Sequence, residues 1–270
     1  MKYSIGEFAS ILGITADTLR LYEKHDIVRP EKGCRNNYRY FNDLDARNLL
    51  SSRWYRSMQI PLQNVAGLIN GAPAERVVDS IYTAQLQLEE EIRWSTMLLD
   101  TIRTIHNELV GLEDKLCKCR IKQMPGMYRL QQTEKNQLLQ KECLKQTVQA
   151  WMDLLPFTFY SFRTENTDNL GSGGELDYNW GLALLEEDQQ KLGVCIDDSM
   201  QYIPSGTCIS SVIVTSYEDY LEQEAFQFML DYAWEQGYNV DGDVYGKILF
   251  TERLQDENRT YLEINIPISI

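Results

Sequence analysis

Arg, Lys, Asn and Tyr crowd together between Thr18 and Phe41, in the stretch TLRLYEKHDIVRPEKGCRNNYRYF. Cationic side chains grip phosphates, and short polar ones reach base edges, so this stretch suits contact with a nucleic acid. Two other groups of residues have types that bear chemistry. Cys117 and Cys119 form a C-x-C pair, with Cys143 further along. Such a pair is either a thiol or metal sensor or two plain thiols at a helix end, since thiol metal sites recruit more ligands. The C-terminal part is rich in rings, among them Tyr160, Tyr178, Trp180, Tyr202, Tyr232, Trp234, Tyr238, Tyr245 and Tyr261. On the last apolar run Tyr261 and Glu263 alternate with Leu262 and Ile264, so the Tyr/Glu face looks either to solvent or into a groove. Catalytic patterns are sparse. The two histidines are His25 and His106, H-E-x-x-H is absent, and the GSGG at 171–174 lacks the Lys-Ser/Thr of a phosphate loop. A pair of carboxylates acting as acid and base stays open.

The stretch 18–41 sits in a cationic context that the rest of the chain lacks. The 270 residues carry a formal net charge of -14, yet residues 1–70 hold ten Lys and Arg against seven Asp and Glu. The remainder holds 16 against 33. A basic head on an acidic body points to separate domains with different partners. No apolar run approaches the ~20 residues of a spanning helix, and Glu7 interrupts the start before a signal sequence can develop. The chain is expected in the cytoplasm, with no membrane partner and mostly reduced thiols.

Helix punctuation predicts the elements that position these groups. Ser4 and Glu7 form a capping box, Tyr3 and Phe8 occupy staple positions, and Gly13 ends the first helix. Thr15 caps a second helix to about Lys24, making a helix-turn-helix whose early turns present Thr15, Ala16, Thr18, Arg20 and Tyr22. A Gly/Asn turn at 33–37 between short extended runs reads as a hairpin, a wing carrying Arg35, Asn36, Tyr38 and Arg39. Asn42 or Asp43 caps a third helix to about Met58, and Pro61 opens a fourth that ends near Gly71. From Ala74 to about Leu116 apolar residues recur at heptad spacing, with Ile81, Leu88, Ile102, Leu109 and Leu116 in one row. Such a stripe requires a partner, either a second copy or the chain's own C-terminal part.

Residues from about 120 onward are expected to be built twice. A strand through CRIKQMPGMYRLQ, a helix at about 135–152 and the strand FTFYSFRT make the first unit. MQYIPSGTCISSVIV, a helix at about 217–235 and DVYGKILFTERL make the second. Together with YNWGLALL and TYLEINIPI they give two βαβ-like halves on an antiparallel sheet around a central groove.

The order of Ala9, Gly13, Thr18-Leu19-Arg20, Tyr22-Glu23, Pro30, Tyr38-Arg39-Tyr40 and Pro61 closely resembles the MerR family of transcriptional regulators. One departure is Asp26-Ile27, where the family usually has Gly-Leu. The IPSGTC turn and the YLEINIPI ending resemble the GyrI-like effector-binding domain of multidrug-sensing members. The resemblance implies a winged helix-turn-helix at 1–72, a dimerisation helix at 73–119 in an antiparallel coiled coil, and an α+β effector-binding domain at 120–270. It implies a homodimer on double-stranded promoter DNA that acts on RNA polymerase indirectly, by distorting the promoter when a small effector binds. It turns Glu263 into the groove, with Tyr261, Trp180, Tyr202 and Tyr245 as candidate companions for a cationic lipophilic effector. A ring face attracts a cation, and a desolvated carboxylate does so strongly. The expectation is a regulator and not an enzyme, without cofactor and without a resident metal unless Cys117 and Cys119 hold one and make it a thiol- or metal-responsive regulator; because stand-alone relatives of the GyrI-like domain include hydrolases, the resemblance also implies the alternative of hydrolysis in the tail with Glu263 as base.

Overall fold

The computed structural model describes residues 1–33, 38–135, 137–140, 144–165, 177–216, 223–253 and 258–269. It divides into two compact units, Met1–Thr96 and Met97–Ile270, each of which has its own core.

The first unit begins with β1 (Tyr3–Ser4), α1 (Ile5–Leu12) and α2 (Ala16–Lys24). Ser4 and Glu7 make the capping box, and Gly13 closes α1 in the left-handed region at φ 63°. The Thr15 hydroxyl caps α2 by accepting from the Thr18 backbone N–H. β2 (Glu31–Lys32) and β3 (Arg39–Phe41) follow, and the three strands pair antiparallel in the order β1-β3-β2. Next come α3 (Asp43–Ser57) and α4 (Leu62–Ile69). Asn42 caps α3 and Asp45 completes a second capping box. The buried Asp45 carboxylate also accepts from the Arg29 N–H at 2.7 Å, which ties the chain leaving α2 to α3. Pro61 lies at the N-cap of α4, one residue earlier than its expected first helical position. Phe8, Leu19, Ile27, Val28, Phe41 and Leu49 form the core, with Phe8 stacked on Phe41 at 4.8 Å. Asp26 adopts φ 55°, so the chain does require the left-handed region where the resembled family has Gly.

α5 (Ala74–Leu109) has 36 residues, none of them buried. Its early turns pack Val77 and Ile81 against Ile60, Val65 and Leu68 of the first unit. Val78, Leu88, Ile92, Leu99 and Ile102 are exposed. The helix stops short of the expected Leu116. Gly111 takes φ 67°, and the Lys115 ammonium donates to the carbonyls of Asn107, Glu108 and Val110. Leu116, counted in the heptad row, instead bridges Val212 at the start of the second unit's sheet.

The second unit contains β4 (Arg120–Met124), β5 (Met127–Gln131), β6 (Thr133–Glu134), β7 (Gln137–Leu138), α6 (Lys145–Asp153), β8 (Thr158–Glu165) and β9 (Asp177–Leu185). It continues with α7 (Glu186–Leu192), β10 (Gln201–Ile203), β11 (Gly206–Ser216), α8 (Gln227–Glu235), β12 (Asn239–Val240), β13 (Val244–Arg253) and β14 (Asn258–Ser269). The sheet runs β10-β5-β9-β8-β13-β14-β11-β4, with β12 added on β14, and every pairing in it is antiparallel. The halves β5-β9-β8 and β11-β14-β13 meet at β8·β13, and each half lends its opening strand to the other. β4 pairs with β11, and β10 pairs with β5. The helix expected at about 135–152 begins only at Lys145, because Lys135 turns at φ 49° and β6 pairs with β7. In the second half, a 3-10 turn at Gln223–Phe226 precedes α8, and the expected start at 217 lies outside the described residues.

Candidate functional site

Two surfaces hold the residues singled out above, one on each unit. On the first, the capped turn between α1 and α2 presents Thr15, and one turn on, Arg20 is exposed. The Thr15 and Thr18 hydroxyls lie 2.8 Å apart, Ala16 is half-buried beside them, and Arg20 pairs with Asp17 along the helix. Tyr22 leans onto the core of the unit, so its ring is partly structural. On the wing, Tyr38 is 65% exposed. The Arg39 Nε donates to both oxygens of Glu23 at 2.8 and 3.0 Å, which clamps the wing to the end of α2. Arg35 and Asn36 lie outside the described residues. What this surface can do is set by its donors. Exposed hydroxyls and guanidinium groups on a rigid, doubly capped helix suit phosphate and base-edge contacts.

In the second unit a cavity of about 630 Å³ opens between the sheet and the last turns of α5. Alternation along five strands supplies its floor: Lys122 and Met124, Met127 and Arg129, Phe159 and Ser161, Tyr245 and Lys247, Glu263 and Asn265. Met97, Thr101, Ile105 and Glu108 of α5 line it from above, and Glu187, Asp188 and Lys191 of α7 stand at its side. The size and the mainly apolar lining surface match a small-molecule site, and nine charged side chains among the described residues also line it.

Glu263 lies in this cavity, 7% exposed, but its charge is already matched. The Lys122 ammonium donates to its two oxygens at 2.8 and 2.9 Å, and the Arg120 guanidinium donates at 2.9 Å. Burial pushes the carboxyl up, but Lys122, with Arg120 and Lys247, outweighs burial and holds it below the usual carboxylate range. The expected free counter-ion for a cationic guest is therefore a carboxylate engaged by the protein's own cations. Lys247 pairs with Glu108 of α5 at 2.7 Å and stands 5.1 Å from the centre of the Phe159 ring. The buried Arg129 donates to the Ser161 hydroxyl at 3.0 Å and the Asn179 carbonyl at 2.8 Å.

Of the expected aromatic companions, Tyr245 lines the cavity; Trp180, Tyr202 and Tyr261 do not. Trp180 packs edge-on to Phe162 in the sheet core, at 5.5 Å. Tyr202 donates its hydroxyl to Glu186 at 2.9 Å. Tyr261 stacks on Phe250 at 4.4 Å, past the register shift in β13 at Ile248/Phe250. The sequence reading missed Arg120, Lys122, Arg129, Lys247 and Glu108. A signal existed in the two-residue spacing of Arg120 and Lys122, but nothing in it says which strand they join. Cys117 is exposed and Cys119 half-buried, and burial, with Cys117 alongside, pushes the Cys119 thiol up. Among the described residues no three His, Cys, Asp or Glu gather as a metal site. No described helix is long and apolar enough to cross a membrane.

Comparison with known proteins matches residues 3–72 to the MerR HTH family of regulatory proteins. The HTH-type transcriptional activator TipA of Streptomyces coelicolor is 31% identical over 75 residues, 28% of this chain and 30% of TipA. The HTH-type transcriptional regulator ZntR homolog of Haemophilus influenzae is 29% identical over 119 residues, 44% of this chain and 81% of that protein. The chain thus spans under a third of the length of the TipA relatives it matches. Among solved structures, that of the EcmrR-DNA complex in EcmrR-RPo aligns over 99% of both chains at 15% identity, with a TM-score of 0.38. The family match places residues 3–72 in the MerR HTH family of regulatory proteins, in keeping with the capped helix pair and the three-stranded sheet of the wing.

Proposed function

We propose that this chain is a ligand-responsive transcriptional regulator that binds double-stranded promoter DNA as a homodimer. The observation that carries the reading is the pairing, in one chain, of a MerR-type helix-turn-helix with a cavity of about 630 Å³ in a separate unit. α2 and the wing would meet the DNA, with Thr15, Ala16, Thr18 and Arg20 toward bases and Tyr38, Arg39, Arg35 and Asn36 toward the backbone. The exposed apolar stripe of α5 suits pairing with a second copy, which would present two recognition helices to two half-sites. An effector in the cavity would bias the populations of the dimer. Because α5 supplies both Val77 and Ile81 to the first unit's core and Ile105 and Glu108 to the cavity, it is the element through which occupancy would be felt. The output would be distortion of promoter DNA.

The direct test is footprinting on DNA flanking the gene, with a salt titration of affinity. A protected near-palindrome whose affinity falls steeply with salt is the expected result. Absence of any protected site, or affinity insensitive to salt, would remove the DNA-binding reading.

A further inference from the structure

We infer that the cavity in the second unit takes an uncharged lipophilic molecule whose carbonyl group is received by the Asn265 amide. The inference rests on the reading of that cavity as an effector site and gives the ligand its chemical class. Pairing decides it. The described lining holds five carboxylates, Asp100, Glu108, Glu187, Asp188 and Glu263, against four cations, Lys122, Arg129, Lys191 and Lys247. Each of them already has a partner in its own unit. Lys122 holds Glu263 at 2.8 Å, and Arg120 joins it there from outside the lining. Lys247 holds Glu108 at 2.7 Å. Arg129 donates to the Ser161 hydroxyl and the Asn179 carbonyl. Asp100 pairs with Arg103, and Glu187 and Asp188 share Lys191. Solvent screens the side where one lysine serves two carboxylates, since the Glu187 side chain is 73% exposed. A charged guest would have to displace one of these partners or lie unpaired, and an unpaired charge in a partly desolvated place is costly. An uncharged guest leaves every pair as it is.

One side chain on the floor still has hydrogen-bonding capacity to offer. Asn265 lines the cavity and is 7% exposed. Its Oδ1 lies 3.6 Å from the Cys208 Sγ, and among the described residues its amide nitrogen has no partner. A buried amide N–H calls for an acceptor, and a ligand carbonyl in the cavity supplies one. Met124, Met127, Phe157 and Phe159 give the rest of the ligand an apolar surface to bury against.

The experiment is isothermal titration of the full chain with three probes that share a ring and differ in charge: 2-naphthylacetamide, 2-naphthylacetate and 2-(2-naphthyl)ethylammonium. The acetamide is expected to bind roughly tenfold or more tightly than either ion. Asn265→Leu should weaken it about tenfold, the loss of one buried hydrogen bond. Glu108→Gln frees Lys247 and should tighten the acetate severalfold, while Lys247→Met frees Glu108 and should tighten the ammonium severalfold. A cooperative melt followed by tryptophan fluorescence shows that a variant is folded. If Asn265→Leu does not fold, the three probes on the natural chain and the two variants of the Glu108–Lys247 pair still decide the charge. A natural chain that binds either ion as tightly as the acetamide overturns the inference and leaves the effector site intact. Undiminished affinity of Asn265→Leu for the acetamide overturns the part given to Asn265. If no probe binds at millimolar concentration, the inference and the effector reading of the cavity fall together. DNA binding is then judged by its own footprint.

Discussion

Replacing Gly246 by Ala should unfold the second unit at lower temperature, because there is no space for a methyl group. Gly246 lies on β13 opposite Phe162 of β8, between the cavity residues Tyr245 and Lys247. A Cβ there would stand 1.7 Å from Phe162 Cε1 and 2.2 Å from Cζ, against an ordinary contact of 3.4–4 Å. The ring cannot swing away freely. Phe162 is fully buried and meets Trp180 edge-on at 5.5 Å. Overpacking of this kind costs about 1–3 kcal/mol, and the entropy that Ala removes from the unfolded chain returns about 0.4–1 kcal/mol. An approach of 1.7 Å to a fully buried ring puts the cost at the upper end, so the net expectation is about 2 kcal/mol of destabilisation, or a fall in Tm of roughly 4–8 °C for a unit of this size. Tryptophan fluorescence, to which Trp151, Trp180 and Trp234 of this unit contribute, follows the melting, and urea unfolding gives the free energy. Gly206→Ala is the control, since a Cβ at Gly206 meets nothing within 4 Å and its φ is ordinary. That variant should be neutral or slightly stabilised. If Gly246→Ala melts within 1 °C of the natural chain, or if both variants fall equally, the steric account is wrong.

Asp26→Gly should stabilise the first unit by about 1 kcal/mol, since Asp26 holds φ 55° and a residue with a Cβ is strained there; equal urea midpoints for the two proteins would show that Asp26 is at ease. Glu263 gives a pH dependence. Its folded carboxyl lies below the ordinary value, so the folded state binds the proton less readily than the unfolded chain. The stability it contributes is whole above the unfolded pKa, about 4.3, and is lost as pH falls through the folded pKa. The urea midpoint should therefore drop more steeply from pH 5 to pH 3 in the natural chain than in Glu263→Gln, and parallel profiles would refute it. Among the described cysteines, iodoacetamide at neutral pH should modify Cys117 and Cys195 first, Cys119 later and Cys208 last. Burial pushes the Cys208 thiol up to about 11 and so suppresses its thiolate; peptide mass spectrometry gives the order.

The sequence by itself determined the first unit almost in full. Its information is local: Ser4 with Glu7, Gly13, Thr15 and Asn42 each act within four residues, so caps and turns are legible without knowing the fold. The doubled plan of the second unit was legible for the same reason, from Pro125-Gly126 and Pro204-Ser205-Gly206, which each lie between two strand-like runs. Boundaries failed where a nearby contact outside the usual capping pattern intervened. The end of α5 depends on Lys115 reaching back to its carbonyls, and the late start of α6 depends on β6 pairing with β7.

The charge of the cavity was decided only by the tertiary structure. Alternation put Tyr261 and Glu263 on one face of a strand, but it carries no information about the neighbours that strand acquires. Lys122 reaches Glu263 across 141 residues of sequence, because β4 leaves its own half to pair with β11, next to β14. Lys247 comes from β13 on the other side, and Glu108 from a helix whose heptad stripe left its partner open between a second copy and the chain's own C-terminal part. A carboxylate's charge state and purpose depend on the cations within a few ångströms of it. In an antiparallel sheet of this order, those cations come from strands whose pairing the local sequence does not specify.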